Sequence, residues 1–201
     1  MQIELFEQSG FVITSNSGNT LAVDIGNKTP LEKLAQVSVD TFLVSHIHGD
    51  HFSLPHISAT NPEQVILNQE CIDAIDHELP FALLEIKADE QITSGDFKIL
   101  AFDVDHGPNV SSPLQDNFGF LIEVDDKKIY FAGDMFYESG IEVSSLSVDY
   151  ALIPVGTFYT FGPEEAYAFV QKFKSIAEII PIHYEKTPHT REEFIALVDS
   201  K

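Results

Sequence analysis

The sequence predicts an α/β (α+β) fold in which two β-sheets pack on each other and helices cover their outer faces. Three observations predict it. Strand-like segments come first in a run and then alternate with helical ones. Many strand-like segments, such as Thr41-Phe42-Leu43-Val44, are apolar at successive positions, so both of their faces need cover. Turn and helix-start signals separate the segments at short intervals.

Taken in order, Ile3–Phe6, Phe11–Thr14 and Leu21–Asp24 read as strands, with a turn at Asn16-Ser17-Gly18-Asn19. A helix start follows, with Thr29 as N-cap, Pro30 at the first helical position and Glu32 reaching back. Thr41–Val44 is a buried strand. Val65–Leu67 is a short strand and Gln69–Glu78 a helix. Strands are expected at Ala82–Ile86, Phe97–Val104, Phe118–Val124 and Lys128–Ala132, with a hairpin turn at Asp125-Asp126. Tyr150–Pro154 is a strand, Gly162-Pro163-Glu164-Glu165 opens a helix to about Phe173, and Ile179–Pro181 is the last strand. Thr190-Arg191-Glu192-Glu193 reads as a capping box for a final helix.

No repeat or linker-like stretch interrupts the 201 residues, so one domain over 1–201 is expected. A hydrophobic content of 44% fits a folded core. The single cysteine, Cys71, excludes an internal disulfide and a cysteine zinc cluster; it reads as a small buried apolar residue. No run approaches the ~18 apolar residues of a membrane span. The start, Met-Gln-Ile-Glu-Leu, lacks the regions of a signal peptide, so a cytoplasmic protein is expected. The net charge of −21, from 11 basic against 32 acidic residues, disfavours nucleic acid and anionic membranes as partners. A small-molecule substrate remains, anionic ones included if bound cations dominate locally. A homo-oligomer is left open.

The most informative stretch is His46-Ile47-His48-Gly49-Asp50-His51, directly after a buried strand. Imidazole and carboxylate are ligands for divalent metals, and a strand end followed by a turn can aim several side chains at one point. Gly49 is expected to supply the tight turn. Other ligands must come from elsewhere. His106, Asp134 and His183 each follow an apolar strand, beside Gly or Pro.

This pattern resembles the metallo-β-lactamase superfamily: a His-x-His-x-Asp-His signature, a distant His, an Asp after Gly, and a last His. The likeness runs from Leu21-Ala22-Val23-Asp24 to His183. It implies a four-layer αββα sandwich with metals at one edge between the sheets. It implies that His46, His48 and His106 hold one ion and Asp50, His51 and His183 a second, with Asp134 bridging. Two Zn2+ ions are implied, with Mn2+ or Fe2+ as alternatives. Val155 to Ala166, together with Ile180-Pro181-Ile182-His183-Tyr184, is similar to the branch holding ascorbate-6-phosphate lactonase-like proteins. His48 stands where flavodiiron relatives carry Glu, which disfavours an iron redox role. The lysine or cysteine of true β-lactamases has no counterpart, and the added domains of nucleic-acid-cutting branches are missing.

The expected activity is metal-dependent hydrolysis. A metal-bridged hydroxide attacks an ester, lactone or phosphoester, with Asp50 orienting it and Asp134 setting the metal spacing. A small-molecule phosphodiesterase and a non-catalytic metal-binding or sensing domain are the rival readings. Asp24 and Asp105 are candidates to fix ligand tautomers, and Tyr159 and Tyr184 to donate to an oxyanion. His56 and His189 read as structural or exposed, and His77 as a helix C-terminal residue. The phenylalanines, 16 in all, read as core. Specificity is expected from Phe52–Ala59, Asn109–Asp116 and Phe136–Ser144.

Overall fold

The structure, a computed structural model, describes residues 1–110 and 114–200. Twelve strands form two six-stranded mixed sheets in which sequential strands are neighbours. The first sheet holds β1 (Gln2–Leu5), β2 (Phe11–Thr14), β3 (Thr20–Val23), β4 (Thr41–Leu43), β5 (Gln64–Leu67) and β6 (Ala82–Glu85). The pairs β1/β2 and β2/β3 are antiparallel; from β3 to β6 the strands are parallel. The second sheet holds β7 (Gln91–Ser94), β8 (Phe97–Asp103), β9 (Phe118–Val124), β10 (Lys127–Phe131), β11 (Ser147–Pro154) and β12 (Ser175–Ile182). Here β7 to β10 form an antiparallel meander, and β10, β11 and β12 run parallel.

Three hydrophobic clusters define four layers. Phe11, Ile13, Leu21 and Leu43 of the first sheet pack against Ile99, Phe120, Ile122 and Phe131 of the second. Outside the first sheet, Phe42, Val44 and Val65 pack under Leu34, Ile57 of α1 (Leu54–Ala59) and Cys71 of α2 (Gln69–Asp73). Outside the second, Tyr130 and Ile153 pack under Phe169 of α3 (Pro163–Val170) and Phe194 of α4 (Pro188–Asp199). The strands are apolar on both faces because each sheet is covered twice, as the sequence requires. Cys71 is fully buried in this layer, and burial pushes its thiol pKa up, which fits an inert structural role.

Several local expectations are corrected. The segment after Pro30 is a 3-10 turn, Leu31–Leu34, with no side-chain cap, and Thr29 Oγ1 is buried without a partner. Leu54–Ala59, not expected as an element, is a short helix, and Pro55 suits its first turn. The helix from Gln69 stops at Asp73, well short of Glu78. Asp73, Asp76 and Glu78 would crowd the negative end of a longer helix, and Pro80 follows. The third helix stops at Val170, before Phe173. The final helix begins at Pro188, so Thr190 sits inside its first turn and donates to the Thr187 carbonyl at 2.8 Å instead of capping. His77 lies outside any helix, exposed beside Asp76 at 2.8 Å. Strand β7 is an edge strand too short and polar to show in the pattern.

Candidate metal centre

Strands β4, β8, β10 and β12 run in register with their neighbours, and the loops leaving their C-terminal ends converge on one edge of the sandwich. These loops carry His46 to His51, His106, Asp134 and His183. The structure therefore brings together all seven predicted ligand residues. One ligand atom each from His46, His48 and His106 lies within 4.8 Å of the others, and the same holds for Asp50, His51 and His183. Asp134 sits between the two groups. Its Oδ2 is 3.2 Å from His51 Nε2, 3.4 Å from His106 Nε2 and 3.2 Å from His183 Nε2.

Close backbone approach builds this convergence. A Cβ on Gly26 would lie 2.1 Å from the Asp50 carbonyl carbon, so the loop after β3 packs directly on the signature loop. Gly133 has φ +61, and a Cβ there would lie 2.4 Å from the Phe118 carbonyl, which brings Asp134 in over β9. Gly49 does not have a positive φ; a Cβ would meet Asn27 Nδ2 at 2.7 Å. Its value is close approach rather than the expected left-handed turn. His183 and Asp24 do adopt left-handed φ, at 58° and 48°. Such strain in non-glycine residues tends to be retained where side-chain aim matters.

Asp24 is fully buried, and its Oδ2 accepts from His51 Nδ1 at 2.8 Å. A carboxylate only accepts, so Nδ1 carries a proton, and Nε2, aimed at Asp134, is the nitrogen left to ligate once the ring is neutral. Ser45 holds Asp24 in turn, through its backbone N–H at 2.8 Å and its hydroxyl at 2.5 Å. Asp24, His46 and His51 also form a close group, yet the Asp24 oxygens are taken up by Ser45 and His51, which fits an orienting role. Asp105 reaches no imidazole among the described residues. It accepts from the Gly107 N–H at 2.7 Å and shapes its own loop.

Charge coupling follows the geometry. Burial opposes ionisation of Asp134, but the His183 and His51 cations hold its pKa well below the carboxylate range. Burial likewise opposes charge on Asp50, and His183, 3.8 Å from its Oδ2, together with His51 and the Gln8 hydrogen bond overcomes it and lowers the pKa. His51 is raised: burial acts against this, and Asp134 and Asp24 overcome it. His183 is raised to about 9, with burial opposed by Asp134. His46 and His48 are lowered, chiefly by burial, then by His51 for the former and His106 for the latter.

The residues fit divalent cations by a direct test. His51 Nε2 and both ring nitrogens of His106 are buried without a hydrogen-bond partner. His51 Nε2 lies 3.2 Å from Asp134 but at poor hydrogen-bonding geometry. His46 Nε2 and His48 Nδ1 face each other at 3.0 Å. Unpaired buried nitrogens are costly, and a cation at their focus satisfies them together.

A family model described as "Beta-lactamase superfamily domain" matches residues 2–183. The chain belongs to the metallo-β-lactamase superfamily. Within it, a UPF0173 metal-dependent hydrolase of Thermococcus onnurineus is 28% identical over 185 residues, covering 88% of this chain and 82% of the relative. One from Pelotomaculum thermopropionicum is 28% identical over 201 residues, covering 94% and 86%. Igni18, a metallo hydrolase from Ignicoccus hospitalis, shares the superfamily fold with a TM-score of 0.77 at 21% identity, over 98% of this chain and 90% of that one. Relatives are thus named metal-dependent hydrolases, and the four-layer sandwich expected from the sequence is the fold observed.

A cavity of about 550 Å3 opens onto the centre, lined by His48, Asp50, His106, Asp134, Tyr159 and Lys186 among others. A larger cleft of about 870 Å3 lies beyond Phe158, with Phe136 and Tyr137 in its wall, but contains no histidine. Of the two, only the smaller cavity is lined by residues of the candidate metal centre. Of the expected specificity segments, Asn109 and Val110 line it, Phe52–Ala59 does not, and residues 111–113 lie outside the described residues. Phe136 lines only the larger cleft, with Tyr137 beside it. Tyr159 lines the metal cavity, whereas Tyr184 lines a separate one under Arg191. His56 is structural: its Nε2 reaches the Thr29 carbonyl at 2.9 Å and its Nδ1 the Ser53 hydroxyl at 2.7 Å. His189 is exposed.

Sequence reasoning missed four supporting residues. Gln8 Nε2 donates to Asp50 Oδ2 at 3.0 Å and lies 3.3 Å from His183 Nε2; the Gln8 carbonyl accepts from the His183 N–H at 3.0 Å. Ser9 Oγ lies 3.5 Å from Asp134 Oδ1. Ser45 holds Asp24, and Asn117 donates to the Asp134 carbonyl at 3.2 Å. Only Ser45, adjacent to the signature, carried a local hint.

Proposed function

We propose that the protein is a dinuclear zinc hydrolase of small esters, lactones or phosphoesters. The observation that carries this reading is the set of unpaired buried nitrogens on His51 and His106 around Asp134. His46, His48 and His106 would hold one ion, Asp50, His51 and His183 the other, with Asp134 shared. Bound cations supply activated water at neutral pH and polarise the bond to be cleaved.

The remaining work belongs to the chain. Asp24 fixes His51 in the tautomer that can ligate. Gln8 fixes Asp50, whose lowered pKa keeps it an ionised carboxylate that can accept a hydrogen bond from the attacking water and orient it. Tyr159 is placed in the cavity wall, where its hydroxyl can donate to charge developing on the substrate. The likeness of Val155–Ala166 and Ile180–Tyr184 to ascorbate-6-phosphate lactonase-like proteins supports a lactone among the substrates. The charge of −21 supports small molecules over nucleic acid.

Elemental analysis of protein purified without chelator should find close to two zinc ions per chain. A screen of lactone, thioester and phosphodiester substrates should show turnover by that protein. His48→Ala should lose metal and activity together. Full activity in His48→Ala rejects the mechanism; turnover of phosphodiesters alone selects the phosphodiesterase reading; metal without any turnover selects a binding or sensing role.

A further inference from the structure

In a chain with 32 acidic and 11 basic residues, five of the nine described lysines reach a carboxylate. Lys33, Lys87, Lys127, Lys128 and Lys172 each reach an acidic side chain. Lys186 forms no ion pair among the described residues. Its ammonium lies 5.0 Å above the Tyr159 ring, in the wall of the metal cavity. Among the described residues lining that cavity it is the sole lysine or arginine.

Its position is built rather than incidental. The Thr187 hydroxyl donates to the Gly156 carbonyl at 2.8 Å, tying the loop after β12 to the loop after β11. Gly156 permits this, since a Cβ there would lie 1.9 Å from the His183 carbonyl oxygen. Thr157 and Phe158 follow with left-handed φ of 62° and 55°, and the Asn109 amide donates to the Phe158 carbonyl. Two consecutive non-glycine residues in this region are costly. The result is that Tyr159 is presented to the cavity and steers Lys186 toward it.

We propose that Lys186, seated on Tyr159, is a specificity-determining residue that binds an oxyanion of the substrate, a carboxylate or phosphate remote from the bond that is cleaved. The substrate is then a small anionic ester or lactone. A chain of this charge repels such a molecule globally, so a lysine without a carboxylate partner at the site favours its recognition at a point away from the metals. Because Lys186 is exposed, its attraction is modest and salt-sensitive.

This inference rests on the hydrolase reading for its kinetic arm only. Zinc-loaded wild type, Lys186→Met and Lys186→Arg, matched for metal content by elemental analysis, would be assayed on 4-nitrophenyl hydrogen glutarate and 4-nitrophenyl valerate. The preference in kcat/KM for the glutarate over the valerate should fall about fivefold in Lys186→Met, through KM, and be largely restored in Lys186→Arg. An unchanged preference overturns the proposal. If wild type turns over neither ester, the hydrolase reading suffers, and calorimetric titration decides on Lys186. Succinate or inorganic phosphate should bind about fivefold more weakly to Lys186→Met, the more affected anion naming the group. Equal affinity for both anions in the two proteins overturns the assignment.

Discussion

Replacing Asp24 by Asn removes one charge at nearly constant volume from a fully buried position. The consequence can be worked through atom by atom. The Ser45 N–H at 2.8 Å from Oδ1 demands an acceptor, so the amide oxygen of Asn must stay there. The amide nitrogen then takes the place of Oδ2, 2.8 Å from His51 Nδ1. Two donors cannot face each other, so His51 must move its proton to Nε2. That nitrogen is the one aimed at Asp134, and a protonated Nε2 cannot ligate. Loss of such an orienting partner typically weakens metal binding about 10–100-fold, or about 1.4–2.8 kcal/mol. Competition against a chromophoric chelator, with Zn2+ as the probe, measures it, and a cooperative thermal melt of the metal-free variant checks the fold. A zinc affinity within about twofold of wild type, in a folded variant, would refute the tautomer argument.

Metal uptake near pH 7 should release protons, because His183, raised to about 9, and His51 must be neutral to ligate. Calorimetry in buffers of different ionisation enthalpy should give different apparent heats; identical heats contradict the coupling. The metal-free protein should lose stability in both directions of pH. Depressed Asp134 stabilises above its ordinary value of 3.8, a contribution lost as pH falls; raised His183 stabilises below 6.5, a contribution lost as pH rises through about 9. Chemical denaturation across pH should therefore show a maximum between those ordinary values. Gly156→Ala places a Cβ on the His183 carbonyl oxygen and should cost more than about 2 kcal/mol while weakening zinc binding; a loss below about 0.5 kcal/mol would show that the loops separate freely. Tyr130→Phe removes a buried hydroxyl that has no partner among the described residues, so urea unfolding should show no loss and up to about 1 kcal/mol of gain; a loss of that size would mean the hydroxyl is satisfied.

The sequence by itself determined the layered α/β character and the positions of the metal-type ligands. Strands such as Thr41–Val44 are apolar on both faces, and this local pattern survives because burial is decided strand by strand. The candidate ligands were legible because each follows an apolar strand, and β4, β8, β10 and β12 deliver their C-terminal loops to one edge. The sequence did not show short or polar elements, and it misplaced helix ends. The run from Gln69 and the Thr190 box each satisfy a local rule, but Pro188 and the acidic run at Asp73 to Glu78 set the real ends. Only the tertiary structure decided which polar residues support the ligands. Gln8 and Asn117 reach Asp50 and Asp134 across 42 and 17 residues of chain, and no periodicity encodes such a contact. It also placed Tyr159 in the metal cavity and Tyr184 outside it, a choice set by loop packing around Gly156. Chemistry-bearing residue types can be read in one dimension, but the aim of a side chain depends on backbone approaches that arise only when distant loops meet.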